Sequence, residues 1–268
     1  MEFITIGAVS HPGLKRLDNQ DHYAYYFPEE DIADTKGILM TVADGMGGHA
    51  AGAVASRLAV DVLMSKYYDA ESSASITESL RNAFLKANQE VMARGQDDRK
   101  LQGMGATMTA VVVVNNKMYY AHVGDSRGYI ISGNKISQFT QDHSYVYNLV
   151  RAGIISEEKA LTHPQRNVIT RAIGISSDLE VDVSQHYQIL KKGECVLLCS
   201  DGLFNVVSDQ EILNVVSTIQ TPAESCNKLL EIANARGGPD NITVLAARMN
   251  KTNAAGALHG TVNLSRVT

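Results

Sequence analysis

Apolar runs in this 268-residue chain end repeatedly on an aspartate beside a turn-forming residue: Met40-Thr-Val-Ala-Asp44-Gly45, Ala121-His-Val-Gly-Asp125-Ser126-Arg127 and Leu197-Leu-Cys-Ser-Asp201-Gly202. Asp240 stands in Gly238-Pro-Asp240-Asn241 ahead of another such run, and Asp21 ends Arg16-Leu-Asp-Asn-Gln-Asp21 just before one. One Asp-Gly or Asp-Asn is an ordinary turn. Five at the ends of buried strands are another matter, because carboxylates gathered there repel one another and cannot all stay ionised. The neighbouring cations, Arg16 and Arg127, are too few to neutralise them. Divalent ions would. Oxygen-only donors suit a hard ion, magnesium or manganese, rather than zinc or copper, and no calcium loop of alternating acids is present. A carboxylate can bridge two such ions about 3.5–4 Å apart, and a water held between them becomes hydroxide-like near neutral pH, which suits in-line attack on phosphorus.

The elements that must carry these acids follow from periodicity. Strand-like runs cover Phe3–Val9, His22–Phe27 and Ile38–Ala43. Apolar residues at 51, 54, 55, 58, 59, 62 and 63 mark one face of a helix over Ala51–Met64, and Ile76, Leu80, Ala83, Phe84, Ala87 and Val91 mark a second. Strands return at Thr107–Val114, Lys117–Val123, Gly128–Ser132 and Lys135–Phe139, with Asn115-Asn116 and Gly133-Asn134 as tight hairpin turns. Residues 142–178 are a polar excursion with two small helices, in which Asp142 or Ser144 caps the first. Strands at Val181–Tyr187 and Glu194–Ser200, helices near 208–217 and 222–235, and a strand at Ile242–Arg248 complete one domain. Hairpin-linked strands with helices in separated pairs predict an α+β fold: a β-sandwich of two mostly antiparallel sheets flanked by helices on both sides. The catalytic domain is expected over 1–249 and a flexible tail over 250–268.

Six ordered motifs make the chain recognisable: Gly13-x-x-Arg16-x-x-Asn19-Gln20-Asp21, Asp44-Gly-Met-Gly-Gly48, Gly105-Ala-Thr107, Val123-Gly-Asp-Ser-Arg127, Ser200-Asp-Gly202 and Asp240-Asn241. The sequence resembles the type 2C, metal-dependent serine/threonine protein phosphatases in their bacterial single-domain form, over about residues 3–248. That resemblance implies a binuclear Mn²⁺ or Mg²⁺ centre that hydrolyses phosphoserine and phosphothreonine in proteins without a covalent phosphoenzyme. It implies that Asp44 bridges both ions, that the Gly45 carbonyl binds one, and that Asp201 and Asp240 complete the other's shell with Asp21 nearby. Asp125 matches a position that helps hold a third, weaker ion together with Asp201. Arg16 is expected to grip phosphate oxygens, a task suited to its planar fork; a structural ion pair with Asp18 or Asp21 is the other reading. Many eukaryotic relatives carry a histidine, proposed as general acid, where this chain has Met46, which cannot donate a proton. His49 is the replacement expected here, with a solvent-facing histidine as the alternative and water on a metal as another donor. Residues 145–178 match the family's variable flap, where Thr162-His-Pro-Gln-Arg166 and Thr170-Arg171 are expected to face substrate or anchor the flap.

Composition bounds the rest. A net charge of −5 with no basic block gives no reason to expect nucleic acid. No apolar run approaches the ~18 residues of a membrane span, and the N-terminus lacks the basic start of a leader, so a cytoplasmic monomer is expected. Its expected partners are phosphorylated proteins, with a cognate serine/threonine kinase behind them. Cys195, Cys199 and Cys226 read as buried core thiols rather than as metal ligands or disulfides. Gly45-x-Gly47-x-x-Ala50 formally fits a dinucleotide fingerprint, but Asp44 would lie against the pyrophosphate and no βαβ unit follows. The remaining rival is an inactive phosphoprotein-binding scaffold of the same fold; the complete set of acids argues against it.

Overall fold

The computed structural model describes residues 3–48, 50–69 and 74–250. The candidate general acid His49 and residues 251–268 of the expected tail lie outside the described residues. In chain order the strands are β1 (Ile4–His11), β2 (Asp21–Tyr26), β3 (Ile38–Met46), β4 (Gly105–Ala106), β5 (Met108–Val114), β6 (Lys117–Val123), β7 (Arg127–Ser132), β8 (Lys135–Gln138), β9 (Asp182–Val183), β10 (Gln188–Ile189), β11 (Cys195–Cys199) and β12 (Ile242–Met249). The α-helices are α1 (Glu30–Lys36), α2 (Ala51–Tyr67), α3 (Ile76–Asp97), α4 (Tyr145–Arg151), α5 (Glu157–Leu161), α6 (Asp201–Phe204), α7 (Asp209–Thr218) and α8 (Pro222–Ala235).

Two sheets stack face to face. One runs β1-β12-β11-β7-β8; the other runs β10-β6-β5-β3-β2, with β4 beside β3 and β9 beside β6. Every strand pair among them is antiparallel. The two-residue period of a strand sorts their side chains into layers. On β11, Cys195, Leu197 and Cys199 face α7 and α8, whereas Val196 and Leu198 enter the space between the sheets. On β5, Ala110, Val112 and Val114 meet α2 and α3, while Val111 and Val113 pack inward. Three apolar layers result, and the expected α+β sandwich is the fold observed. All three cysteines are free and buried in it.

Local chemistry sets the boundaries. Ser75 and Glu78 form a reciprocal capping box that starts α3. Asn115 adopts φ 55° and Gly133 φ 57°, the left-handed backbone that tight hairpins require. Ser144, not Asp142, caps α4 by accepting from the Tyr147 N–H at 3.3 Å. Three expectations need correction. Helices α1 and α6 were not foreseen, and β3 continues through Asp44 to Met46. Of the strand expected over Val181–Tyr187 only β9 forms, ending where Ser184 turns its hydroxyl back to accept from the Tyr120 N–H at 3.1 Å, and β10 follows beyond it at Gln188–Ile189. At the far end of β1 and β12 the Asn250 N–H donates to the Phe3 carbonyl at 2.9 Å.

Candidate active site

Sheet register brings the five acids to one end of the sandwich. Asp21 opens β2 directly opposite Asp44 on β3. Asp125 lies two residues beyond the end of β6, Asp201 two beyond β11, and Asp240 two before β12. Because β11 and β12 run antiparallel, the exit of one and the entry of the other lie side by side.

Each acid is held by a local device. Asp44 is locked to Thr107 by a reciprocal pair: its N–H donates to the threonine Oγ1 at 3.0 Å and its carbonyl accepts from the threonine N–H at 2.8 Å. Asp21 accepts from the Ser200 hydroxyl at 2.6 Å, while its other oxygen, Oδ1, is buried without a hydrogen-bond partner. Asp201 begins α6 and accepts from the Asn205 side chain at 3.1 Å. Asp240 accepts from the Asn241 N–H at 2.9 Å and pairs with Arg16, also at 2.9 Å. The Gly45 N–H donates to the Gln20 carbonyl at 3.1 Å, and a Cβ at Gly45 would run into the Gly52 carbonyl. Only glycine permits that close passage of β3 against α2.

The electrostatics match the crowding. Burial, partly offset by the Ser200 hydrogen bond and reinforced by Asp240, pushes the Asp21 carboxyl up to about 6. Burial and then the charges of Asp21, Asp201, Asp125 and Asp240 hold Asp44 well above the usual carboxylate range. Asp201 is raised well above that range by burial and then by Asp125, Asp240 and Asp21. Asp125 is pushed up to about 7 by burial and by Asp142, with Arg127 pulling the other way. Arg127 cannot neutralise the cluster, because its guanidinium is engaged with Asp142 at 2.7 Å and lies over the Phe204 ring.

Among the described residues, no three Asp, Glu, His or Cys side chains already converge as a closed metal cage. The acids are neighbours, and Arg16, Ser200 and Asn205 each engage one of them, Asp240, Asp21 and Asp201 respectively. The donor set nevertheless fits a hard divalent ion: it is all oxygen, it holds excess negative charge, and the orphaned Asp21 Oδ1 is a buried acceptor lacking a cation.

Arg16 finds a partner other than the two expected, Arg171 takes the flap-anchoring role of the two expected of it, and two residues enter. Arg16 pairs with Asp240 rather than with Asp18 or Asp21, and its side chain is 57% exposed, so an incoming anion can reach it. Arg171 anchors the end of the flap through Glu180 at 2.8 Å and Asp182 at 3.0 Å. Ser200 and Asn241 were visible only as neighbours of Asp201 and Asp240. Asn241 proves to be a clasp: its Oδ1 accepts from the Gln20 N–H at 2.9 Å, and its Nδ2 donates to the carbonyls of Pro12 at 3.0 Å and Asp18 at 2.8 Å. It thereby fastens the loop carrying Arg16 and Asp21 to the corner carrying Asp240.

The model of one protein family, protein phosphatase 2C, matches residues 15–237. The chain belongs to the protein phosphatase 2C family. Membership makes it a metal-dependent serine/threonine protein phosphatase. It is similar to the serine/threonine phosphatase stp of Listeria monocytogenes, 37% identical over 80% of this chain and 85% of that one. It is similar also to the protein phosphatase PhpP of Streptococcus pneumoniae, 36% identical over 93% of this chain and 99% of the relative. Among solved structures it matches the Mycobacterium tuberculosis phosphatase PstP/Ppp with a TM-score of 0.81 at 37% identity, covering 92% of this chain and 99% of that one. The catalytic domain of PstP has been solved in complex with two manganese ions, and this chain superposes on it with a TM-score of 0.79 at 34% identity, over 92% of this chain and 99% of that one.

Proposed function

We propose that this phosphatase hydrolyses phosphoserine and phosphothreonine in proteins with two divalent ions held by Asp44, the Gly45 carbonyl, Asp201, Asp240 and Asp21. The single observation that carries this reading is the gathering of five aspartates at one end of the sandwich, with Asp21 Oδ1 buried and unpartnered and the carboxyls of Asp21, Asp44, Asp125 and Asp201 pushed above their ordinary range by burial and neighbouring acids. Mn²⁺ or Mg²⁺ bound there supplies Lewis-acid polarisation and a water of lowered pKa. Asp125, with Asp201, is the place for a third, weaker ion.

The chain's own residues do the remaining work. Arg16 is exposed and belongs to a loop clasped by Asn241, so it can exchange Asp240 for two phosphate oxygens without refolding. Thr107 sets the backbone of Asp44, and Ser200 sets the rotamer of Asp21, so both carboxylates are preorganised. Met46 cannot protonate a leaving oxygen, and His49, three residues on in the sequence, is the side chain proposed for that role. The protein that carries the phosphate is the substrate, and the serine/threonine kinase that phosphorylates it is the implied counterpart. A panel of pSer, pThr and pTyr peptides assayed with Mn²⁺, Mg²⁺ and chelator tests this. Release from pSer and pThr that depends on metal and vanishes in Asp44→Asn is expected. Full turnover in chelator, or by Asp44→Asn at low metal, overturns the assignment.

A further inference from the structure

His143 is buried, titratable and unused by the chemistry above, yet it touches both the flap and the loop of Asp125. Its backbone is fixed twice: its N–H donates to the Gly124 carbonyl at 2.7 Å, and its carbonyl accepts from the Thr170 N–H at 2.7 Å. Its ring is fixed twice as well. Nδ1 lies 3.0 Å from the Gly124 N–H, and Nε2 lies 3.1 Å from Asp182 Oδ2. A backbone N–H can only donate, so Nδ1 must be the unprotonated nitrogen, and the ring proton sits on Nε2, directed at Asp182. Arg171 stands 3.3 Å from the same Nε2, but two donors cannot bond each other. Asp182 therefore receives both, taking His143 on Oδ2 and Arg171 on Oδ1 at 3.0 Å.

The location gives this relay its meaning. Gly124 precedes Asp125 and holds φ +108°, where a Cβ would press on Thr107, the residue that also locks Asp44. Arg171 and Thr170 close the flap, which is tied to this point a third time by the bridge between Ser144 and Ile169. We propose that His143 is a positioning residue with two separable tasks: Nδ1 holds the Gly124–Asp125 turn in its catalytic geometry, and Nε2, through Asp182 and Arg171, holds the flap against the same turn. Protein substrate that settles under the flap is thereby registered against Asp125. The effect on turnover rests on the role given to Asp125 above; the two-sided clasp does not.

Two near-isosteric substitutions separate the tasks. In His143→Asn the amide oxygen occupies the place of Nδ1 and keeps the Gly124 bond but cannot reach Asp182. In His143→Gln the amide nitrogen reaches Asp182 but leaves the Gly124 N–H without an acceptor. Amide hydrogen exchange of the metal-free protein reads each bond directly. Gly124 should lose protection at least about tenfold in His143→Gln and stay near wild type in His143→Asn, with the reverse for Thr170 and the flap amides. With Mn²⁺, His143→Gln should lower kcat about tenfold or more on both a small aryl phosphate and a phosphopeptide. His143→Asn should keep kcat within about threefold and raise KM about fivefold or more for the phosphopeptide alone. Parallel exchange profiles for the two variants, or no change in either, overturn the proposal. If the profiles cross but Asp125→Ala turns over like wild type, the clasp stands and it is the role of Asp125 that fails.

Discussion

Replacing Asn241 by alanine removes a side chain that spans two segments far apart in sequence and meets no charge on the way. Three hydrogen bonds go at once: the acceptor for the Gln20 N–H at 2.9 Å and the donors to Pro12 and Asp18 at 3.0 and 2.8 Å. Asn241 is 6% exposed, so its former partners gain little water in exchange. At about 1 kcal/mol net per bond the loss is about 3 kcal/mol, and it grows if a partner is left dry. For a domain of this size that lowers Tm by about 6–12 °C. Urea unfolding in chelator measures the stability; steady-state kinetics on a phosphopeptide with Mn²⁺ measures the site. The loosened loop carries Arg16, so KM should rise about tenfold while the melting change persists without metal. Asn241→Asp keeps the acceptor but loses both donors, and it should fall between alanine and wild type in KM. A stability loss below about 1 kcal/mol together with an unchanged KM would refute the clasp.

Arg16→Ala should raise the phosphopeptide KM about tenfold or more, the worth of a charge-assisted pair to phosphate. Its link to Asp240 is exposed and weak, so calorimetric metal affinity should shift by less than about fivefold; lost metal binding would instead make Arg16 a structural partner of the acids. Asp125→Ala should retain two tight ions in calorimetry yet depress turnover at saturating substrate about tenfold or more, and loss of the tight sites would show Asp125 to belong to the core pair. In chelator the protein should become less stable as pH rises from 6.5 to 8. Asp125 keeps its proton up to about 7 when folded, against 3.8 for the unfolded side chain, so the fold binds more protons and loses that advantage as they leave. His122, which burial pushes down to about 4, and His143 and His22, which burial also lowers, oppose this because their unfolded imidazoles shed protons near 6.5. Asp44 and Asp201, held well above the usual carboxylate range, act with Asp125 and set the net sign. Urea midpoints that rise with pH in chelator would contradict the raised carboxylates.

The layers were legible because the sandwich obeys its periods: β5 and β11 alternate cleanly between helix-facing and sheet-facing residues, and α2 and α3 keep their apolar faces. Asp44, Asp125, Asp201 and Asp240 were legible because turn-formers beside buried strands are conspicuous. Their fastening was not. Neither the Ser200 hydroxyl on Asp21 nor the Asn241 clasp leaves a periodic signal, since each joins residues roughly two hundred positions apart. Helix α6 was hidden because its four residues begin with Asp-Gly, which reads locally as a turn. The pairing of Arg16 with Asp240 was equally remote: proximity in sequence favoured Asp18 and Asp21, and only the return of β12 beside β1 brings Asp240 into reach.

The contact between Phe3 and Asn250 gives the sandwich two poles of different character. Register places that contact at the end of β1 and β12 opposite to Asp240, and the β7–β8 turn at Gly133 shares the same end. Gly133 has open space around its Cα. The order in which the chain visits its strands is therefore separable from the site they build. Residues 3 and 250 can be joined by a short bridge and the chain opened at Gly133 without moving an aspartate, because none of the five acids lies at that pole. Such a circular permutant would keep the catalytic end with β1 and β12 joined covalently and β7 and β8 at the new termini. It makes the phosphatase a scaffold whose topology can be rewritten from behind.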